Sequence, residues 1–311
     1  MRVLVGFPGG FLGRNVAEGL AGDFEIVAPP LDLREPAAAH EAIAAYRPDA
    51  IVLDTPFAGG IRFNVEHPAD LLLDNLSAQV LVMSEARRAR TKVLFVGSSC
   101  MYPRDVSGDL REELLGSGAV EATNAAYATA KLAGWELCRA LRAQDGLDCA
   151  TIVPANLYGP HDDFDASSGH VIPALMRRLD EARREGVPAV TLWGTGRPVR
   201  DFLFVGDLVR FVGDCLRRGL PWTECNVGSG RGVSILELAE TVRRVVGYEG
   251  RLEPDPRQPD GAPRKVLDTA RAASCGWSPR VGLHEGIERT WRWYRERNVD
   301  PVGRSRAKGE R

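Results

Sequence analysis

Short β-branched and apolar runs alternate with amphipathic stretches through the first half of the chain, and the first run opens directly onto a glycine-rich turn. Arg2–Val5, Glu25–Ala28, Ala50–Leu53, Lys92–Val96 and Ala150–Val153 read as buried strands; Asn15–Leu20, Asp70–Arg90 and Ala125–Arg142 read as helices between them. Strands apolar on both faces and separated by helices form a parallel sheet covered on both sides. The expected class is therefore α/β, a doubly wound parallel sheet with a smaller α/β domain beside it. Helix Ala125–Arg142 carries Ala, Leu and Trp on one side and Lys131, Glu136 and Arg139 elsewhere, which lays it against the sheet.

After Pro154 the rhythm loosens, as Pro160, Pro173, Pro188 and Pro198 break up the segment. Asp201–Arg218 reads as a strand end and a helix returning to the first domain, and Ile235–Val246 and Leu283–Arg297 as later helices. The expected division is a first domain over 1–160 with 201–222 returning to it, a second over 161–200 and 223–300, and a disordered tail over 301–311. With 40 Lys+Arg against 42 Asp+Glu, the net charge of −2 offers no excess to neutralise a nucleic acid or an anionic membrane. No run approaches the roughly 18 apolar residues of a membrane helix. The cysteines Cys100, Cys138, Cys149, Cys215, Cys225 and Cys275 show no CxxC pairing and no His partners at zinc spacing. They read as reduced thiols of a cytoplasmic protein, and no metal site is expected.

The strand ending at Val5, the turn Gly6-Phe7-Pro8-Gly9-Gly10-Phe11-Leu12-Gly13 and the helix after it form the context in which backbone amides cradle a pyrophosphate. That makes Gly6, Gly9, Gly10, Phe11, Leu12 and Gly13 candidate cofactor-binding residues of a Rossmann-type domain. The bland alternative is that the glycines only let strand and helix pack closely. Against the extended short-chain dehydrogenase pattern, Gly10 and Gly13 occupy the second and third glycine positions and Phe7 the first. The second strand ends Ala28-Pro29-Pro30, with neither an acid for an adenosine ribose nor an Arg for a 2′-phosphate.

Tyr127 and Lys131 form Tyr-x-x-x-Lys, one turn apart on one helix face. There an ammonium can lower the phenol's pKa, and the phenol can give a proton to an oxygen on which charge develops. Ser98, just past the strand Lys92–Val96, supplies a second hydroxyl donor. Around these residues the chain resembles the GDP-L-fucose synthase family. The likeness lies in Ser98-Ser99-Cys100-Met101-Tyr102-Pro103, Tyr127-Ala128-Thr129-Ala130-Lys131, Asn156-Leu157-Tyr158-Gly159-Pro160-His161-Asp162 and Gly169-His170-Val171-Ile172-Pro173. Trp193-Gly194-Thr195-Gly196, Asn226-Val227-Gly228-Ser229-Gly230 and Pro259-Asp260-Gly261-Ala262-Pro263-Arg264-Lys265 extend it over nearly the whole chain.

The resemblance implies epimerisation of a GDP-4-keto-6-deoxy-hexose at C3 and C5, then reduction of the C4 ketone with NADP(H). It assigns Cys100 and His170 as the acid/base pair, and Ser98, Tyr127 and Lys131 to the C4 oxygen. Tyr127 and Lys131 also touch the cofactor. Asn156, Arg178, Trp193, Arg200 and Lys265 would line the nucleotide-sugar site, which falls to the second domain. His161 reads as a loop-structuring residue. Relatives pair through helices that include the Tyr127 helix, which implies a homodimer. The departures at Phe7, Pro29, Pro30 and Asp54-Thr55-Pro56-Phe57 cluster on the cofactor side, so the alternative is an isomerase that epimerises a related GDP-4-keto sugar and has lost nicotinamide use.

Overall fold

The computed structural model describes residues 1–54, 61–165 and 169–298. Thr55, Pro56 and Phe57 and the tail expected over 301–311 lie outside the described residues. The first half runs β1 (Arg2–Val5), α1 (Phe11–Leu20), β2 (Glu25–Val27), α2 (Pro36–Tyr46), β3 (Ala50–Leu53), α3 (Ile61–Glu66), α4 (Pro68–Ala89), β4 (Lys92–Val96), α5 (Ala125–Asp145) and β5 (Cys149–Pro154). Every residue of β3 and β5 is buried, as expected of strands covered on both faces. Helix α1 begins four residues earlier than its apolar pattern suggests, because Gly10 adopts an extended conformation and starts the helix directly after the turn.

The second half runs β6 (Asn156–Tyr158), α6 (Val171–Glu185), β7 (Ala189–Trp193), β8 (Val199–Phe204), α7 (Val205–Arg218), β9 (Glu224–Val227), β10 (Gly232–Ser234), α8 (Ile235–Val246), β11 (Arg251–Asp255), β12 (Arg264–Lys265), α9 (Ala270–Ser274) and α10 (Leu283–Asn298). The main sheet has the order β2-β1-β3-β4-β5-β9, with every neighbouring pair parallel. The strand order reverses between β1 and β3, which opens a crevice at their carboxyl ends. This is the Rossmann-type doubly wound sheet. A second sheet has the order β10-β8-β12 with β6 also on β8, and β7 pairs with β11.

These pairings draw the boundary between the units differently from the sequence reading. Strand β6 pairs with β8 in the second sheet, although it precedes residue 160. Strand β9 lies beside β5 in the main sheet, although 223–300 reads as the other domain. Both strands are too short for their sheet to be read from periodicity, so pairing partners decide it. Strand β8 runs into α7 without an intervening residue, and α7 packs on α1 so closely that a Cβ on Gly19 would lie 2.7 Å from Val209 Cγ1.

Helix α5 crosses the sheet through a small residue. A Cβ on Gly134 would meet Phe95 Cζ of β4 at 2.5 Å and Gln79 Oε1 of α4 at 2.6 Å, so the absence of a side chain sets the height of α5 above the sheet. Gly134→Ala is expected to destabilise the protein by about 1–3 kcal/mol through overpacking, despite the better helix propensity of Ala. Denaturant unfolding checks this; an unchanged or raised stability would show that α5 has room to shift.

Candidate functional site

Strand β4 ends at Val96, and the chain turns at Gly97, where a Cβ would lie 2.9 Å from Met101 Sδ and 3.1 Å from Thr151 Cγ2. Ser98 then caps a single 3-10 turn, Ser99–Met101. Its Oγ accepts from the Cys100 amide at 3.2 Å, while its own amide donates to Met101 Sδ at 3.3 Å. These contacts fix the Ser98 hydroxyl and the Cys100 backbone at the carboxyl edge of the sheet. The Ser98 hydroxyl is close enough to the Tyr127 phenol on the first turn of α5 to act on its titration, lowering the phenol's pKa against larger opposing effects.

Lys131, one turn further along α5, is wholly buried. It donates to the Val96 carbonyl at 2.5 Å and lies 3.6 Å from Asp54 Oδ1 at the end of β3. Burial lowers the lysine's pKa, and the Asp54 carboxylate opposes that shift. The Tyr127 phenol is pushed well above its ordinary value by burial, then by the charge of Asp54 and by Cys100. This corrects the sequence reading, in which the ammonium lowers the phenol's pKa. Desolvation and a carboxylate outweigh an ammonium engaged elsewhere, so Tyr127 stays protonated and serves as a donor.

Two asparagines missed by the motif reading stand behind Cys100. Asn64 Nδ2 donates to Asn124 Oδ1 at 2.7 Å, which turns the Asn124 amide nitrogen toward Cys100 Sγ at 3.8 Å. The available signal was Asn124's place at the head of α5, one turn before Tyr127.

His170 sits at the head of α6, with Nδ1 3.0 Å from Oδ1 of the buried Asp162. The hydrogen bond to Asp162 raises the histidine's pKa and outweighs the effect of burial. Among the described residues His170 makes no hydrogen bond to Ser98, Cys100, Tyr127 or Lys131, so the site has two separately anchored halves. His161 is bound through Nε2 to Glu18 Oε2 at 3.0 Å, as a loop-structuring residue would be.

The remaining expected residues gather on the second sheet and beside it. Arg200 and Lys265 are paired in register on β8 and β12. The partly buried Arg200 donates to the Val199 and Ala262 carbonyls, and burial lowers its pKa. Trp193 ends β7 with 67% of its surface exposed and its indole N–H on the Pro259 carbonyl. Arg178 of α6 donates to the Thr191 carbonyl on the same strand. Asn156 Nδ2 is used in holding β6 to the Asp201 carbonyl of β8 at 2.8 Å.

At the other end of the cleft, the glycine loop has the form of a phosphate cradle. The Phe7 carbonyl accepts from Gly10 N at 3.2 Å, and a Cβ on Gly13 would lie 2.0 Å from that carbonyl oxygen. Gly9 faces open space, and Gly10 caps α1 without a side chain, which leaves the first amides of α1 open to an anion. The Phe7 side chain does not fill the loop; it packs against the cluster containing Leu4 and Leu33. Past β2 there is neither acid nor Arg at residues 28–30, and Arg34 is engaged by Asp32 and Asp74. The pyrophosphate and reactive ends thus fit a dinucleotide, and the adenosine end has no charged side chain at residues 28–30 to hold a ribose or a 2′-phosphate.

Comparison with known proteins defines the class. Residues 10–228 match the NAD dependent epimerase/dehydratase family. The chain is 43% identical over 265 residues to GDP-L-fucose synthase 1 of Arabidopsis thaliana, covering 85% of this chain and 82% of that protein. It is 38% identical over 310 residues to GDP-L-fucose synthase of Escherichia coli K12, covering 95% and 97%. A GDP-mannoheptose C4 reductase from Campylobacter jejuni with NADP bound superposes with a TM-score of 0.85 at 27% identity, covering 94% of this chain and 98% of that one. The chain belongs to the NAD dependent epimerase/dehydratase family and, within it, to the GDP-L-fucose synthases.

The Asp54–Lys131 contact has a measurable consequence. Asp54→Ala leaves a buried ammonium with the Val96 carbonyl and the face of the Phe95 ring but no carboxylate among the described residues, and is expected to cost about 2 kcal/mol near neutral pH, less than a fully buried pair because Asp54 is partly exposed. A lysine whose folded pKa is depressed binds its proton more weakly folded than unfolded, so stability rises with pH through that interval. The deficit of the variant should therefore shrink as pH rises toward the ordinary lysine value of about 10.4, because in both proteins the folded lysine loses its proton before the unfolded one does. Urea unfolding across pH measures it, and a constant deficit would mean that Asp54 acts through packing.

Proposed function

We propose that the chain converts GDP-4-keto-6-deoxy-mannose to its C3/C5-inverted, C4-reduced product. The observation that most directly supports this reading is the clustering of Ser98, Cys100 and a protonated Tyr127 on two adjoining turns at the sheet edge. Hydrogens beside the C4 ketone are acidic because the enolate places its charge on O4. Ser98 and Tyr127 donate hydrogen bonds to that oxygen as the charge develops. Cys100 takes the proton from carbon, and His170, whose pKa the hydrogen bond to Asp162 raises, returns one to the opposite face. Repeating this at the second carbon gives both inversions with no net redox change. NADPH, when bound, supplies the hydride for C4. Tyr127 then protonates the O4 alkoxide, with Lys131 held behind it by Val96 and Asp54.

Gly9–Gly13 and the head of α1 would hold the cofactor pyrophosphate, with Tyr127 and Lys131 at the reactive end. The intact cradle and the retained Tyr127 and Lys131 support reduction over an epimerase-only enzyme. Arg178, Arg200 and Lys265 would hold the GDP diphosphate, Trp193 would stack on the base, and Asn156 would line the sugar pocket. The six free cysteines suit a cytoplasmic protein.

Incubation with the 4-keto sugar in D2O without cofactor should place deuterium at C3 and C5, and added NADPH should be consumed in proportion to the keto sugar. Cys100→Ser and His170→Asn should each slow exchange by about 100-fold or more while GDP still binds. Parental exchange rates in both variants would refute the acid/base assignment.

A homodimer is proposed through α4 and α5, since Leu73 and Val80 stand 62% and 52% exposed two turns apart on α4 beside α5. Light scattering should give a dimer for the parent and a monomer for Leu73→Asp/Val80→Asp; a monomeric parent overturns this.

A further inference from the structure

We propose that Asp162 is a positioning residue that commits His170 Nδ1 as a donor and leaves Nε2 as the ring atom available to the sugar; this builds on the role given to His170 above. The backbone gives the first argument. Among the described non-glycine residues, positive φ occurs at Arg47, Arg90 and His161, with values of 45°, 59° and 66°. Arg47 and Arg90 are left-handed caps ending α2 and α4, where such a conformation is ordinary. His161 ends no helix, and its conformation costs about 1 kcal/mol. It is held there by Glu18 and by an edge-on contact with the Trp293 ring, 5.0 Å between centroids. The effect of that turn is to bury the side chain of the next residue, Asp162.

The surroundings of that carboxylate give the second argument. Asp162 Oδ1 accepts from the Asp163 amide at 2.9 Å and faces His170 Nδ1 at 3.0 Å, whereas Oδ2 is buried and, among the described residues, has no hydrogen-bond partner. Among the described residues its only ion-pair partner is His170. A structural aspartate tied into a network would be satisfied at both oxygens; this one is aimed at a single imidazole.

Electrostatics supplies the third. His170 stands at the head of α6, whose positive end opposes an imidazolium, and the first turn of α6 has no acidic residue to offset it. The ionisable groups acting on the ring are Asp162 and, further off, Asp163, both from the turn after β6. The nearest α6 cations are occupied, Arg177 by Glu181 and Asp165, and Arg178 by the Thr191 carbonyl. Asp162 is therefore the group that favours the protonated form of His170 and, in the neutral ring, directs the proton to Nδ1, as a carboxylate does for other acid/base histidines.

Asp162→Asn tests this because it removes the charge and keeps an oxygen for the Asp163 amide. In histidine-labelled protein, NMR titration of His170 should move to lower pH. Deuterium exchange into the keto sugar should fall about 10–100-fold at unchanged KM, with its alkaline limb displaced to lower pH. Asp162→Glu, which restores a carboxylate, should recover part of the titration shift. A parental His170 titration in Asp162→Asn overturns the proposal. If that variant does not fold, the parent decides: nitrogen shifts of neutral His170 showing Nδ1–H support the proposal, and Nε2–H overturns it. The titration reads the pair whether or not His170 handles substrate protons, so parental exchange in His170→Asn overturns only the catalytic role.

Discussion

A wholly buried ammonium organises this molecule. Lys131 leaves α5 and reaches beneath it to the ends of two neighbouring strands, meeting the Val96 carbonyl of β4 and the Asp54 carboxylate after β3. A charge taken from water is tolerated only where its donors are met, so helix and strand ends are held in one relation. That relation brings Tyr127 against Ser98 and places both beside Cys100. The missing side chain at Gly134 sets the distance, and Lys131 sets the register.

The two groups proposed to handle protons are supported by different means. Cys100 stands on a capped turn at the main sheet and receives an amide hydrogen from Asn124, itself oriented by Asn64. His170 belongs to the second unit and leans on Asp162. Inversion at carbon needs groups on opposite faces of the sugar ring, and anchoring them in separate units lets a substrate enter between them. Arg200 and Lys265, paired in register on the second sheet, would supply cations for the proposed diphosphate, so that binding of the nucleotide and alignment of the sugar would share one scaffold.

Much of this was legible in the sequence, for identifiable reasons. Strands β1, β3 and β4 were legible to the residue because both faces are apolar, and α8 because its apolar period begins at a serine cap. Ser98, Tyr127 and Lys131 announced themselves by spacing along a strand and a helix. The membership of β6 and β9 was not legible, since strands of three and four residues carry too little pattern to choose a partner. Asp162, Asn64 and Asn124 were hidden for another reason: each acts through a neighbour distant in sequence. The direction of the Tyr127 pKa shift was misread because spacing reveals the nearby ammonium but not the burial or the competing Asp54.

The uninterrupted passage from β8 into α7 makes a lever of these two elements. Arg200 lies near one end of it, and the packing of α7 on α1 ties the other end to the helix that follows the glycine loop. A hinge needs a few unpaired residues to absorb a turn of the backbone, and none stands between Phe204 and Val205. Were Arg200 drawn toward the diphosphate proposed for it, the joint would have no slack to take up the motion. A displacement at β8 would therefore pass through α7 to α1 as one rigid arm.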